Sequence, residues 1–175
     1  MDGTTLIGLT GKAGSGKDTA ANLLGYETYA FAKPLKAALA VMGFPEPPRD
    51  KKEQQISGFK FSWRKAAQLL GTEWGRQLQT DLWLTMAEVH RKQSRAACLV
   101  ITDVRFHNEA DWIRDHGVLL HVRGRNYEMN PGEAQHASEL ELPVVAGDII
   151  IDNSKDILHL RDQIGAILWA RNAKV

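Results

Sequence analysis

An apolar run that passes without a break into GKAGSGKDT (residues 11–19) constrains this chain more than any other feature. Residues 4–10 read as a short buried strand, and Asp18 to Leu24 has the spacing and alanine content of a helix start. A glycine-rich turn between a strand and a helix is the setting of a loop that wraps an anion. Its glycines let backbone N–H groups turn inward, and the helix N-terminus adds a favourable dipole. Gly11, Gly16 and Lys17 satisfy the pattern G-x-x-x-x-G-K-[ST], but Asp18 stands where a hydroxyl is expected and Thr19 follows one step later. The amides of Lys12, Ala13, Gly14, Ser15 and Gly16 are then phosphate donors, and Lys17 supplies a point charge toward the β- and γ-phosphates of ATP. Asp18 offers Mg2+ a hard anionic oxygen and sits favourably near a helix N-terminus. The alternative makes Asp18 a plain helix-start residue and Thr19 the metal ligand.

The rest of the chain continues the alternation. Strands are expected at 26–32, 96–104, 118–123 and 147–153, and helices at 34–42, 108–116 and 154–171. Residues 43–62 change character: Gly43, Pro45, Pro47, Pro48 and RDKKEQQ form a polar connection, expected to be mobile. Helical period returns at Trp63, with Ala66, Ala67, Leu69 and Leu70 on one face. Gly71 then reads as a stop and Thr72 as the N-cap of a second helix from about Glu73 to Arg91. Alternation from end to end predicts a three-layer α/β domain with a mostly parallel five-stranded sheet, which binds ligands at the carboxyl ends of its strands.

At 175 residues the chain has the length of one domain, with residues 34–92 as a helical insertion and 124–147 as a lid-like loop. A net charge of +1 gives no electrostatic footprint for nucleic acid, and no apolar run is long enough to span a membrane. Cys98, the single cysteine, lies in the apolar run AACLVI and reads as a buried inert thiol, in keeping with a reducing cytoplasm.

Asp103 ends an apolar strand, the place from which a carboxylate reaches the metal of a phosphate-loop enzyme. Arg105 is close enough in sequence to reach a phosphate in the same cleft. Thr72 and Arg76 together suggest a second anion site, a cap plus a guanidinium fork. Arg64, Gln68 and Gly71 form one polar stripe, with Gln68 as a reader of a base edge. Trp74 and Trp83 could stack on a base or belong to the core. Arg123 and Arg125, followed by His136, Ser138 and Glu139, suggest a lid that neutralises the transferring group. With no cysteine or second histidine nearby, zinc is not expected.

GKAGSGKDT, FAKPLK, RKAAQLLGTEWGRQ, ITDVRFHNEADWI, HASE and IIIDN stand in an order that resembles the bacteriophage-type deoxynucleoside monophosphate kinases. LLGTEWGRQ and DVRFHNEA are the most specific, and aspartate after the loop lysine is usual in that family. The resemblance implies a P-loop nucleoside monophosphate kinase fold and transfer of the γ-phosphate of ATP to a deoxynucleoside monophosphate. It also implies a phage or prophage origin and action in the host cytoplasm. In this reading Lys17 and the loop amides hold ATP, Asp18 and Asp103 hold Mg2+, and Asn153 contacts adenine. Lys33, Arg64, Gln68, Thr72, Trp74, Arg76, Trp83, Asp103 and Arg105 serve the acceptor, and Arg123 and Arg125 close from the lid. The substrates are small molecules, with neither nucleic acid nor membrane as partner, and a homodimer is compatible with the chain. KDT also resembles phosphomevalonate kinases of animal type, and IIIDN resembles dephospho-coenzyme A kinase, but GTEWGR argues against both. A different class, an ATP-binding adaptor without catalysis, needs the loop but no second anion site.

Overall fold

Four of the five strands are short runs of large apolar residues, and three of them, at the centre of the sheet, are buried on both faces as parallel strands are. The computed structural model describes residues 4–124 and 141–172. Its sheet comprises β1 (Thr5–Thr10), β2 (Glu27–Tyr29), β3 (Cys98–Ile101), β4 (Gly117–Arg123) and β5 (Ile149–Asp152), in the order β2-β3-β1-β4-β5 and parallel throughout. The central strand β1 pairs Ile7 with Val100 on one side and Val118 on the other. The strands expected at 26–32 and 96–104 come out shorter, as Glu27–Tyr29 and Cys98–Ile101, because the chain turns early toward the next helix.

The chain divides into two compact units, Met1–Ala30 with Arg91–Val175, and Phe31–His90. In the first unit α1 (Lys17–Leu24) and α7 (Ile157–Asn172) cover one face of the sheet, where Ala20, Ala21, Leu24, Leu160 and Ile164 meet Ile7, Leu9, Val100, Leu120 and Ile151. The other face is covered by α6 (His107–His116), which buries Ala110, Trp112 and Ile113. Gly8 allows that packing, because a Cβ there would stand 2.8 Å from the Ile113 side chain. Cys98 is buried in β3. Among the described residues no helix is long and apolar enough to cross a membrane.

The second unit contains α2 (Lys33–Val41), α3 (Trp63–Gln68), a π-helical turn (Leu69–Trp74), α4 (Gly75–Leu78) and most of α5 (Leu82–Gln93). Residues 43–62 are more built than their composition suggests. Phe44 packs edge to face on Phe59 and Phe61, which are tilted against each other, with centroids 5.1–5.6 Å apart, and Trp63 Nε1 donates to the Phe44 carbonyl at 3.0 Å. The expectation of a mobile connection overlooked these four aromatics.

The expected break at Gly71 is absent. Gly71 and Thr72 lie inside the π-helical turn, and the helical path from Trp63 runs on to Leu78 before Gln79 turns to an extended conformation (φ −155°). Thr72 therefore caps nothing, and no helix N-terminus opens at that point. The physical reason is tertiary. The indole Nε1 of Trp83 donates to the Gly71 carbonyl at 2.7 Å, and Gly75 leaves room for the same ring, since a Cβ there would lie 2.5 Å from it. The true cap lies upstream, where the Ser62 hydroxyl accepts from the Lys65 N–H at 3.2 Å.

Candidate active site

The carboxyl ends of β1, β3, β4 and β5 carry the donor-side residues of the first unit. Gly11, Gly14 and Gly16 all have positive φ (142°, 80° and 98°), the conformations that turn backbone amides inward around an anion. The Ser15 N–H closes a turn onto the Lys12 carbonyl at 3.1 Å. Ser15 is 1% exposed, and its Oγ is buried without a hydrogen-bond partner among the described residues. The Lys17 ammonium donates to the carbonyls of Gly11 (2.6 Å) and Lys12 (2.9 Å), which holds it against the loop. Asp18 and Thr19 are both exposed in the first turn of α1, so burial does not separate them as metal ligands.

Asn153, expected at the adenine, is placed differently. It is 5% exposed, its Nδ2 donates to the Ser15 carbonyl at 2.8 Å, and its own N–H donates to the Arg123 carbonyl at 2.6 Å. One hydrogen of that amide is therefore spent on the loop.

Asp103 follows β3 and lies close enough to Tyr29, at the end of β2, to act on its phenol. Burial first, and then the Asp103 carboxylate, push the Tyr29 hydroxyl upward. The turn that carries Arg105 is held by Glu109, a buried carboxylate the sequence reading passed over. It accepts from the N–H groups of Arg105 (2.8 Å) and Phe106 (3.1 Å). The signal was a capping-box spacing, F-x-x-E, masked because phenylalanine is not a capping residue. Arg105, Arg123 and Lys12 border one cleft with Thr10, Gly11 and His121. Three cations thus gather beside the loop with one carboxylate, Glu141, 3.8 Å from Lys12, which leaves an excess of positive charge for a triphosphate. Arg125, His136, Ser138 and Glu139 lie outside the described residues, so the lid expectation at 124–147 reaches the structure only at its ends.

A second buried polar group stiffens the same unit. Asp148, with a side chain 1% exposed, accepts from Arg114 Nε (3.0 Å) and Nη2 (2.9 Å) and from the Val145 N–H (3.0 Å), and lies 2.9 Å from His121 Nε2. Burial pushes the Asp148 carboxyl up, but the Arg114, Val145 and His121 hydrogen bonds together outweigh it and hold the group at about 2. The gap from an ordinary carboxylate corresponds to roughly 2–3 kcal/mol of folding free energy. Because the folded value is the lower one, this stability is complete above about pH 5 and fades as pH falls toward 2. Denaturant midpoints measured from pH 5 to pH 2 should show this loss in wild type, and Asp148→Asn should flatten the profile while lowering stability at pH 7.

The acceptor candidates lie in the second unit. Arg64 is paired with Glu53, so an anion there would compete with a carboxylate already in place. Gln68 Nε2 is buried with no partner among the described residues, which marks a donor waiting for an acceptor. Arg76 is half-buried, and its Nη1 donates to the Thr80 carbonyl at 3.2 Å. Trp74, 54% exposed, lines an apolar groove with Leu39, Met42, Phe44 and Phe61, whereas Arg64, Gln68 and Arg76 are not among the lining residues. Trp83, expected as either ligand contact or core, is core: it is 8% exposed and its indole hydrogen is used within the unit. Lys33 is exposed at the start of α2.

A parallel sheet with a glycine loop between its central strand and a helix, ending in lysine, defines a P-loop kinase-type α/β fold. Solved structures agree on that fold. TT1252 from Thermus thermophilus is 20% identical, with a TM-score of 0.56 covering 97% of this chain and 98% of that one. A gluconokinase from Sinorhizobium meliloti 1021 is 17% identical, with a TM-score of 0.51 covering 99% and 96%. The family is set by sequence. Residues 49–164 match the model of the deoxynucleotide monophosphate kinase family. An Acanthamoeba polyphaga mimivirus protein provisionally named a deoxynucleotide monophosphate kinase is 33% identical, over 91% of this chain and 93% of that protein. The deoxynucleoside-5'-monophosphate kinase of Escherichia phage T5 is 28% identical, over 64% of this chain and 72% of that protein. The chain belongs to the deoxynucleotide monophosphate kinase family and is a phosphotransferase.

Proposed function

We propose that the enzyme moves the γ-phosphate of ATP onto the phosphate of a deoxynucleoside monophosphate, giving ADP and the deoxynucleoside diphosphate. An acceptor phosphate oxygen forms the new bond to the γ-phosphorus, and the bond from that phosphorus to the β–γ bridging oxygen breaks. The observation that carries the reading is the loop itself: three glycines of positive φ, a buried Ser15 hydroxyl awaiting a partner, and the Lys17 ammonium held at its carbonyls. The loop amides and Lys17 bind the donor's phosphates, and Arg105 and Arg123 offset charge as it spreads over the transferring group.

Among the described residues no cluster of three or more metal-ligating side chains occurs. Mg2+ needs no such cluster, because it is commonly held by one or two carboxylates together with substrate phosphates and water. Asp18 and Asp103 fit that requirement, with Thr19 as the alternative to Asp18, and bound Mg2+ would supply charge neutralisation of the phosphates. On the acceptor side the orphaned Gln68 amide suits a base edge and Arg76 a monophosphate, with Lys33, Arg64, Thr72 and Trp74 as secondary contacts. An ADP-release assay across all common nucleoside and deoxynucleoside monophosphates tests the reading. Turnover with none of them, under conditions where ADP binds, leaves the ATP-binding adaptor in its place.

The role of Arg76 has its own test. Loss of a charge-assisted bidentate contact costs about 1.5–3 kcal/mol, or roughly ten- to a hundred-fold in affinity. Arg76→Ala is expected to weaken deoxynucleoside monophosphate binding by that factor while leaving an ATP analogue unaffected, both read by calorimetry on protein of unchanged melting temperature. The reverse pattern would assign Arg76 to the donor.

A further inference from the structure

We infer that Asn153 is a positioning residue of the phosphate loop, aiming the Gly16 amide at the donor's phosphates instead of reading its base. The inference rests on residues 11–19 being the donor site. Asn153 follows the last strand, yet it meets the loop across 138 residues of sequence through the 2.8 Å bond from Nδ2 to the Ser15 carbonyl. The amide must face this way round, because its own oxygen would repel a carbonyl at that distance. The bond matters through peptide geometry. In a trans peptide the C=O and the following N–H point in opposite directions. Fastening the Ser15 carbonyl to Asn153 therefore points the Gly16 N–H away from Asn153 and leaves it available to an anion.

The neighbours are shaped to this contact. Gly16 has φ +98°, and a Cβ on it would stand 2.2 Å from Asn153 Nδ2, so glycine serves both the backbone conformation and the close approach of the amide. From the other side the Asn153 N–H is bound to the Arg123 carbonyl at 2.6 Å. Gly124, at φ +115°, allows the chain after Arg123 to pass, since its Cβ would fall 2.4 Å from the Ser154 nitrogen. Asn153 is thus gripped at its backbone by the end of β4, beside Arg123, and grips the loop with its side chain. One residue sets the position of a loop amide relative to the strand end that carries Arg123.

A loop-positioning role and a base-reading role separate cleanly on a ligand without a base. Calorimetry of the full chain with ADP and with inorganic tripolyphosphate should show Asn153→Asp weakening both. That variant is nearly isosteric, loses the donor and sets a carboxylate oxygen against the Ser15 carbonyl. A factor of roughly ten to a hundred is expected, the same for the two ligands, on protein shown by its melting curve to be folded at the assay temperature. Loss for ADP alone, with tripolyphosphate untouched, would mean that Asn153 reads the base and would overturn the inference. So would two unaltered affinities. Wild-type protein that binds neither ligand would remove the donor site and the inference together, whereas wild-type binding with an indifferent variant removes the inference alone. Should the variant fail to fold, wild type still decides. The Gly16 amide resonance must move on addition of tripolyphosphate, and one that stays fixed refutes the assignment.

Discussion

Lys17→Ala is expected to leave a folded protein that turns over at least about a hundredfold more slowly. Removing a single preorganised charge or donor aimed at developing negative charge costs roughly 10²–10³ in rate, and in phosphoryl transfer such contacts supply most of the catalysis. Little stability should be lost with it. In the structure the ammonium donates to the carbonyls of Gly11 and Lys12 at 2.6 and 2.9 Å, in half-exposed surroundings. Water can take over those carbonyls when the side chain is gone. Single-turnover rates with saturating ATP, set beside melting curves of both proteins, separate the two effects. Wild-type turnover in the variant would take the loop out of the mechanism. A collapse of the melting temperature would mean that Lys17 ties the loop together and that rate and fold cannot be read apart at this position.

What was legible in the sequence follows the strength of the physical signal at each place. The strands and the mostly parallel sheet could be read, though not the strand order, because buried parallel strands are nearly continuous apolar runs, and CLVI or VLLHV admits little else. The loop was legible because its glycines, lysine and flanking elements all point to one geometry. Gly71 and Thr72 were misread because a glycine followed by a threonine is only a local preference for a break. The contact of Trp83 with the Gly71 carbonyl is worth more than that preference, and nothing near residue 71 announces a tryptophan twelve positions on. Glu109 was hidden by a phenylalanine at the capping position, although its two backbone bonds fix the turn that presents Arg105. Asn153 was read by analogy as a base contact. Its actual partner is a backbone carbonyl far away in sequence, which no spacing rule can register.

A large stability effect is expected at Trp83 in the second unit. Its ring is 8% exposed, fits against Gly75, and donates its indole hydrogen to Gly71 inside the π-helical turn. Trp83→Ala removes the buried ring and the hydrogen bond together, and large-to-small changes of this kind cost about 3–5 kcal/mol. Near the top of that range the second unit should unfold in part at ambient temperature, with loss of acceptor binding as a consequence and not as a cause. Trp83→Phe separates the terms. Most of the packing survives, while the Gly71 carbonyl loses its donor at a cost of about 1 kcal/mol. If Trp83 is core, Trp83→Phe lowers the denaturant midpoint slightly and leaves the apparent KM for the monophosphate where it was. A tryptophan that stacked on the base would give the opposite pair of results, an unchanged midpoint and a raised KM. Measuring midpoint and KM on the same preparation therefore decides the role of this residue, and with it whether the π-helical turn is held open by a side chain or by the substrate.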